Sequence, residues 1–340
     1  MKGMKSRQGI TMIALVAAVV VAVAAAVPLG RAGAASPLRV PSCGTFEPNV
    51  EAFAGVVPVG RPDELPPPPI SAKAAVVIDG DTGRVLYDLN AHERRAPAST
   101  TKIMTALLAI RDGGDLDRTV ISDVDGSQMP DSSIMGLKPG FPITMRDLLY
   151  GLMLPSGNDA AIVLAEQVAG STPAFVDLMN QTAAELGLRD THFVNPHGLD
   201  DVHHYSSAYD LARLGRAAMQ DPVFAQIAGT REWHLSPPWD YDLHNGNTLL
   251  GRYPGADGVK IGWTDWAGWT LVASAQRDGH RLFVTVLDSE DRNADASALF
   301  DWAFASYEWM PLSPRAITAA RLARTLGLGD ALARSIAMCG

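Results

Sequence analysis

The sequence contains few cysteines, a modest share of charged residues and no long basic run. Only two of the 340 residues are cysteine, Cys43 and Cys339, which excludes a small domain held together by a disulfide framework. These two thiols either pair in an oxidising compartment or remain unpaired. Charged residues make up 19% of the chain and the formal net charge is -9, a balance that argues against general nucleic-acid binding. The length suffices for one large domain, or two smaller ones, with appendages.

The N-terminal segment, residues 1–34, has the order of an export signal. Basic residues come first, an apolar run follows over residues 10–27, and small residues end the segment at Ala34. This order predicts a signal peptide that is cleaved near Ala34 or, as the alternative, an anchor that stays in the membrane. Either outcome places the rest of the chain outside the cytoplasmic membrane, in the cell envelope.

Composition divides the remaining chain into three parts. Residues 35–71 are rich in proline, and the four prolines at 66–69 predict a stiff extended linker. Residues 72–312 carry regular hydrophobic patterns and form the predicted domain. The tail, residues 313–340, places arginines among alanine and leucine, which predicts a helix on the membrane surface or a loosely ordered end.

Strand patterns lie at both ends of the predicted domain and helical patterns lie between them. The predicted strands span about residues 74–78, 84–87, 270–274 and 282–287, and the predicted helices about residues 99–111, 144–154, 159–168, 172–187, 206–219 and 294–309. Asp278-Gly279 between the last two strands is a strong hairpin signal. Segregated strands and helices predict an α+β fold, with an antiparallel sheet covered by helices.

A serine and a lysine lie one helical turn apart where the first predicted helix begins. Ser99 and Lys102 stand at positions i and i+3, which share one face of a helix. A serine hydroxyl is a weak nucleophile that needs a neighbouring base, and a lysine amine becomes one when burial or a second cation lowers its pKa. Because the helix is apolar nearly all round and hence typical of a buried one, we expect Lys102 to face a cavity or a partner.

Two further short motifs supply polar groups that suit the same chemistry. Ser156 and Asn158 stand in the break between two predicted helices, where a loop between rigid elements aims side chains at a substrate. Lys260 and Gly262 lie on a strand pattern, whose edge can pair with an extended substrate, and the second cation favours an uncharged Lys102. Each motif alone is weak, since Ser-Gly-Asn is also an ordinary loop sequence. Their occurrence in this order is far more specific.

The three motifs together resemble the signature of the serine penicillin-binding proteins, S-x-x-K, S-x-N and K-T-G. The flanking residues 97–102, 147–161 and 191–199 look like those of the low-molecular-mass D-alanyl-D-alanine carboxypeptidases. The resemblance covers about residues 72–312. It implies a penicillin-binding-protein/β-lactamase-like fold, in which a helical subdomain accompanies the sheet.

The resemblance also implies an activity, namely removal of the terminal D-alanine from peptidoglycan stem peptides through an acyl-enzyme. β-Lactams are then inhibitors, and no metal or organic cofactor is needed. Catalysis is assigned to Ser99, Lys102 and Ser156. Substrate binding is assigned to a larger set: Asn158, Lys260, Gly262, Trp263, Thr264 and Arg292.

The chain departs from the family signature at one position. Ile261 stands where the family has threonine, so a hydrogen bond to the substrate carboxylate is lost, at a cost of roughly 1.5–3 kcal/mol. Either Thr264 compensates or the enzyme is slow or differently selective. Arg292 either binds the carboxylate or is a surface arginine. The alternative function is a penicillin-binding fold with weakened catalysis that binds wall peptide.

Two other enzyme classes fit less well. A β-lactamase needs a carboxylate that activates the deacylating water, and the nearest candidate stretch, at Glu185, lacks the expected Glu-x-x-Leu-Asn pattern. A metal hydrolase is suggested by a cluster whose spacing matches no familiar ligand motif. We interpret that cluster as a polar loop; its members are His197, Asp200, Asp201, His203 and His204.

Overall fold

The computed structural model of the chain describes residues 56–60, 65–129 and 132–311. Its strands are β1 (Val56–Gly60), β2 (Ala74–Asp79), β3 (Val85–Leu89), β4 (Thr119–Ile121), β5 (Pro142–Thr144), β6 (Glu232–Leu235), β7 (Tyr241–His244), β8 (Ala256–Thr264), β9 (Gly268–Arg277), β10 (His280–Ser289) and β11 (Tyr307–Pro311). Its helices are α1 (Lys102–Asp112), α2 (Met145–Met153), α3 (Asn158–Ala169), α4 (Thr172–Glu185), α5 (Ala208–Ala218), α6 (Pro222–Gly229) and α7 (Arg292–Ser306).

A five-stranded antiparallel sheet is the centre of the domain. Its strand order is β3-β2-β10-β9-β8, so the first strands of the domain pair with the last and β8 forms one edge. Asp278 and Gly279 join β9 to β10 and both have positive φ, 51° and 83°, as a tight two-residue hairpin turn requires. The predicted hairpin and the predicted α+β architecture are both present.

Helices cover both faces of this sheet. On β2, the side chains of Ala74, Val76 and Ile78 pack into the core with the helices α1 to α6, whereas Ala75 and Val77 pack on the other face with α7. Successive side chains of a strand point to opposite faces, so both sets are buried. This arrangement explains why β2 is apolar from Ala74 to Ile78, rather than alternating between apolar and polar residues.

Local signals set the ends of the helices in the α2–α4 subdomain. The Thr144 hydroxyl accepts a hydrogen bond from the N–H of Asp147 at 3.0 Å and so caps α2. Ser171 caps α4 in the same way, and Gly170 ends α3 in the left-handed conformation, with φ of 77°. These ends agree with the sequence prediction to within about two residues, the usual uncertainty of helix boundaries.

The region between α5 and β8 holds elements that the sequence patterns did not indicate. The carboxylate of Asp221 accepts from the N–H groups of Val223 and Phe224 and starts α6. The β6–β7 hairpin depends on contacts with distant residues: the Trp233 ring stacks on Tyr150 with centroids 3.7 Å apart. Both strands alternate polar and apolar residues, but over only four positions each, and the turn between them has no Asn-Gly or Asp-Gly signal.

The end of the domain also differs from expectation. α7 ends at Ser306 rather than near residue 309, and the next residues form β11, which pairs antiparallel with β1. β1 lies within residues 35–71, the predicted linker. The indole N–H of Trp309 donates to Asp79 Oδ2 at 2.7 Å, so burial of an aromatic side chain favours the strand over another helical turn.

Several sequence predictions fall on residues that the structure does not describe. These are the export signal or anchor at residues 1–34, the tail at 313–340, and any pairing of Cys43 with Cys339. The domain boundaries stay predictions. Among the described helices, none has the length and apolar character needed to cross a bilayer.

We predict that Asp295→Ala lowers the free energy of unfolding by about 2–4 kcal/mol. The buried carboxylate of Asp295 accepts hydrogen bonds from Ser71 N, Ser71 Oγ, Ala72 N and Ser289 Oγ, at 2.6–2.9 Å, and so fastens the start of the domain to the end of β10. Urea denaturation followed by circular dichroism measures the change. Asp177→Ala on the exposed side of α4 is the control, expected to change stability by less than about 0.5 kcal/mol; equal effects would contradict the assigned role.

Candidate active site

Ser99 and Lys102 meet at the start of α1, as their spacing predicts. A 3-10 turn over Ala98–Thr101 leads into the helix, and Lys102 Nζ lies 2.8 Å from Ser99 Oγ. The same amine donates to the carbonyl oxygen of His197 at 2.6 Å. The Lys102 side chain is inaccessible to solvent. A hydroxyl and an amine are therefore held within proton-transfer distance inside the protein.

The backbone before Ser99 is unusual and is fixed from several sides. Ala98 has φ of 50°, a left-handed conformation that costs a non-glycine residue about 1–3 kcal/mol. The carbonyl of Pro97 accepts from Thr100 Oγ1 at 2.6 Å and from Thr270 Oγ1 at 3.2 Å. A Cβ on Gly198 would lie only 1.9 Å from Ala98 O. Close packing around the turn thus fixes the direction of the Ser99 side chain.

Burial and a second cation lower the pKa of Lys102 well below its ordinary value. Loss of hydration is the larger cause, the charge of Lys260 is the second, and the carboxylate of Asp159 opposes both. An amine in this environment loses its proton at a lower pH than an exposed lysine does. The lone pair on Nζ is then free to accept the serine proton, which is the property that a general base needs.

Lys260 lies on the edge strand β8 and is also almost completely buried. Its Nζ donates to the carbonyl oxygen of Ile261 at 3.1 Å. Burial first, and then the charge of Arg292, lower the pKa of Lys260 to about 7. Because Lys260 also lowers the pKa of Lys102, the two amines share one electrostatic environment, as the sequence analysis expected.

Ser156 and Asn158 occupy the link between α2 and α3. Ser156 has φ of 68°, and its buried Oγ has no hydrogen-bond partner among the described residues. Asn158 Nδ2 donates to Ser132 Oγ, whereas its Oδ1 is buried without such a partner. Buried polar atoms without partners are costly and rare. A hydroxyl and an amide oxygen are thus available for a bound molecule.

Asp159 is a structural member of the site that the sequence analysis missed. Its fully buried carboxylate accepts from the backbone N–H groups of Met135, Gly136 and Leu137, each at 2.9 Å, and from that of Ala160. These bonds hold the loop 132–137 beside Asn158. The signal for this role was the acidic residue directly after the Ser-Gly-Asn motif, at the first turn of a helix.

Gly262 brings β8 directly against Ser99. A Cβ at this position would lie 2.8 Å from Ser99 N, 3.0 Å from Ala98 Cβ and 2.4 Å from Thr270 Oγ1. No side chain fits there without movement. The backbone of β8 and the first turn before α1 are therefore neighbours, and Trp263 follows at once along the strand.

The side chains of Thr264 and Arg292, near Gly262, form hydrogen bonds with other groups of the protein. The hydroxyl of Thr264 donates to Asp200 Oδ1 at 2.7 Å and accepts from Ala267 N at 3.1 Å, so it is not free to replace the hydroxyl that Ile261 lacks. Arg292 Nη1 donates to the carbonyl of Gly262 at 3.0 Å. Arg292 is partly buried, and burial lowers its pKa to about 10; it is a neighbour of the site rather than a detached surface arginine.

Two histidines of the polar cluster, His197 and His204, support the structure near Lys102. His204 is buried, with Nε2 2.8 Å from Thr101 Oγ1 and Nδ1 accepting from Val194 N at 3.1 Å. His197 Nδ1 accepts from Leu199 N at 3.2 Å. Burial lowers the pKa of His204 to about 4 and that of His197 to about 3. These imidazoles are neutral at physiological pH, with ring nitrogens engaged by protein groups.

The assembled groups define a class of site by their geometry alone. A serine and a lysine share a buried helix turn, a second lysine lies on the adjacent sheet edge, and a serine and an asparagine stand in the loop between two helices. This is the constellation of a serine acyl-transfer enzyme in which lysine is the base.

Comparison with known proteins identifies the family. The D-alanyl-D-alanine carboxypeptidase family, Peptidase_S11, matches residues 62–291. The chain is 41% identical over 260 residues to the D-alanyl-D-alanine carboxypeptidase DacF of Bacillus subtilis, covering 74% of this chain and 67% of that protein. It is 41% identical over 265 residues to DacB2 of Mycobacterium tuberculosis, covering 75% and 88%. The crystal structure of the Streptomyces K15 DD-transpeptidase matches with a TM-score of 0.68 and 34% identity, over 71% of this chain and all of that one.

The chain belongs to the D-alanyl-D-alanine carboxypeptidase family. The resemblance stated from the three motifs is thereby confirmed, and so is the penicillin-binding-protein fold class. The roles of individual residues remain predictions that rest on the geometry above.

We predict that Gly262→Ala slows acylation of Ser99 by a β-lactam about 10- to 100-fold, because the added methyl group displaces either β8 or the nucleophile turn. Stopped-flow measurement of acylation gives the rate. Gly80→Ala at the β2–β3 turn is the matched control: its Cβ would lie 2.7 Å from Arg281 O, a similar crowding away from the site. An acylation rate in Gly262→Ala equal to that of the wild type would contradict the close approach of β8 to Ser99.

Proposed function

We propose that the chain is a serine-type D-alanyl-D-alanine carboxypeptidase, which removes the terminal D-alanine of peptidoglycan stem peptides through an acyl-enzyme. The observation that carries the proposal is the 2.8 Å separation of Lys102 Nζ from Ser99 Oγ inside the protein, with the pKa of that amine lowered. The proposed chemistry needs neither a metal nor an organic cofactor.

In the proposed acylation step, Ser99 Oγ attacks the carbonyl carbon between the two D-alanines. Its proton passes to Lys102 Nζ as the carbon–oxygen bond forms. The N–H groups of Ser99 and Trp263 stabilise the resulting oxyanion, and the positive end of the α1 dipole adds to this. The packing of Gly262 against Ser99 supports the proposal, since it brings the two backbone segments together.

The leaving group departs when its amine gains a proton. We assign this transfer to the unpartnered hydroxyl of Ser156, which is replenished from Lys102 and acts in the field of Lys260. The peptide bond breaks, D-alanine leaves as the free amino acid, and Ser99 keeps the peptide as an ester. A water molecule, deprotonated by the same amine, then attacks the ester and returns the serine.

The substrate would lie as an extended strand along the open edge of β8. Asn158 Oδ1 lacks a partner and is available to accept from a substrate N–H. Lys260 and Arg292 provide positive charge for the terminal carboxylate, a role that becomes more important because Ile261 supplies no hydroxyl and Thr264 is bonded to Asp200. Gly262 leaves room for the peptide to approach.

The cellular setting follows from the same proposal. Wall peptide is available outside the cytoplasmic membrane, in agreement with the export signal expected at residues 1–34. The substrate ends in D-alanyl-D-alanine, and β-lactams act as inhibitors because they acylate Ser99 and leave slowly. The tail, residues 313–340, is the segment proposed to contact the membrane surface.

A complete set of reactive groups supports an active enzyme over a fold that only binds wall peptide. Ile261 is the single feature in favour of binding alone. Its Cδ1 lies 2.7 Å from where a Cβ on Gly246 would be, so the isoleucine fills space against a glycine rather than closing the pocket around Ser99.

We predict that Ser99→Ala gains no mass when it is incubated with benzylpenicillin, whereas the wild-type protein gains the mass of one penicilloyl group. Intact-mass spectrometry followed by peptide mapping makes the measurement, and release of D-alanine from a D-alanyl-D-alanine peptide should be lost in parallel. Ser236→Ala, which changes an exposed serine in the turn before β7, should be labelled normally. A penicilloyl group on the Ser99→Ala protein would refute the assignment of Ser99 as the nucleophile.

We predict that kcat/KM for a D-alanyl-D-alanine peptide falls as pH rises through about 7. Lys260, whose pKa is about 7, is charged below that pH and neutral above it, and only the charged form attracts the carboxylate. The kcat/KM profile reports groups of the free enzyme. Arg292→Gln removes a charge that lowers the pKa of Lys260, so the alkaline limb should move to higher pH. If the alkaline limb lies at the same pH in the wild-type and Arg292→Gln proteins, its assignment to Lys260 is wrong.

A further inference from the structure

Three tryptophans stand exposed on the hairpin that carries the edge of the site. Trp263, Trp266 and Trp269 lie at the end of β8, in the turn and at the start of β9, and they are 52%, 62% and 42% exposed. The rings of Trp263 and Trp269 have centroids 5.9 Å apart. We call this surface the tryptophan rim. Large exposed aromatic surfaces on a soluble domain usually mark a place of interaction.

The chain uses its other tryptophans differently. The sequence has seven tryptophans, and the four outside the rim each donate the indole N–H to a protein oxygen: Trp233 to Asp147, Trp239 to Pro142, Trp302 to Leu65 and Trp309 to Asp79. Within the described residues, none of the three rim indoles has such an acceptor. The Arg292 guanidinium lies over the Trp269 ring, 4.5 Å from its centroid, so Trp263 and Trp266 supply most of the open aromatic surface, together with hydrogen-bond donors that have no acceptor among the described residues.

A neighbouring loop enlarges the rim and is fastened to it. Asp200 accepts from Thr264 Oγ1 at 2.7 Å and from Trp266 N at 3.4 Å. On either side of Asp200, Leu199 and Val202 are 44% and 74% exposed. The hairpin and the loop thus present one continuous surface of fixed shape, which a binding surface needs if it is to avoid a large ordering cost.

The rim begins next to the nucleophile. A Cβ on Gly262 would lie 2.8 Å from Ser99 N, and Trp263 is the following residue. A stem peptide of about five residues spans at most about 18 Å at roughly 3.3–3.6 Å per residue. When its D-alanyl end reaches Ser99, the sugar to which its other end is attached must lie within that distance of the pocket.

Charge distinguishes a glycan from a membrane as the occupant. The carboxylates of Asp200, Asp201 and Asp265 lie in the same two segments as the rim and outnumber the Arg292 guanidinium that packs on Trp269, so an anionic lipid surface would be repelled. The sugar rings of wall glycan that carry amide-linked peptides are uncharged. They expose C–H groups on one face, which pack on indole rings, and hydroxyl and acetamido oxygens that accept from indole N–H groups.

We propose that the tryptophan rim binds the glycan strand of peptidoglycan and so makes the enzyme selective for stem peptides still attached to sugar. The selectivity part of this inference rests on the proposed carboxypeptidase function. The binding part does not rest on that function, because binding of a sugar to the rim can be measured without turnover.

The first test compares two substrates with the same peptide, one free and one carried on the N-acetylglucosamine–N-acetylmuramic acid disaccharide. Trp266→Ala should lower kcat/KM about threefold to tenfold for the sugar-linked substrate, the range expected for loss of one aromatic stacking contact. It should leave kcat/KM for the free peptide unchanged. Ile121→Ala, which removes a side chain of similar exposure (65%) on β4, should change neither value. Trp266→Phe, which keeps a flat ring, should recover part of the loss.

The second test measures binding of neutral N-acetylglucosamine oligosaccharides to the Ser99→Ala protein by tryptophan fluorescence and calorimetry. Binding that is weakened by Trp266→Ala supports the rim even if the proposed enzyme activity fails. Absence of binding, an equal loss of kcat/KM for both substrates, or no loss for either one overturns the proposal. Binding through Trp266 to vesicles of anionic phospholipid, but not to the oligosaccharide, overturns it in favour of a membrane surface.

Discussion

Burial of two lysine side chains in one small region is the constraint on which the site depends. Lys102 and Lys260 are almost inaccessible to solvent, and among the described residues neither forms an ion pair with a carboxylate. Moving a charged amine into such a place costs several kcal/mol, so the uncharged form becomes competitive near neutral pH. In the proposed mechanism, the reactivity of the Ser99 hydroxyl therefore depends on how the domain excludes water around Lys102.

The architecture provides that exclusion in a specific way. α1 packs against β8 and against the helices α2 to α6, and Lys102 in its first turn is inaccessible to solvent. Asp159 could have neutralised the pocket, but its oxygens are engaged by four backbone N–H groups. The carboxylate thus shapes the loop 132–137 and only partly offsets the field of Lys260 on Lys102.

The parts of this structure that depend on neighbours in sequence were predictable, and those that depend on distant partners were not. The spacing of one helical turn predicted that Ser99 and Lys102 lie together, and Asp278-Gly279 predicted the β9–β10 hairpin. The family and the fold class are confirmed as well. By contrast, β11 forms because it pairs with β1 some 250 residues away, and the bond from Thr264 to Asp200 joins segments with no local pattern in common. No periodicity encodes such pairings.

The position of β8 at the border of the sheet has a consequence for the protein in concentrated solution. Unpaired N–H and C=O groups along an outer strand attach to any extended chain, and a second copy of the same protein is one such chain. In the proposed mode of substrate binding, the edge of β8 has to stay open for the peptide, so no other segment of the protein can cover it. Lys260 is almost fully buried and so presents little charge to a second copy. The packing of the Ala98–Thr101 turn against β8 instead limits how much of the strand an approaching chain can reach.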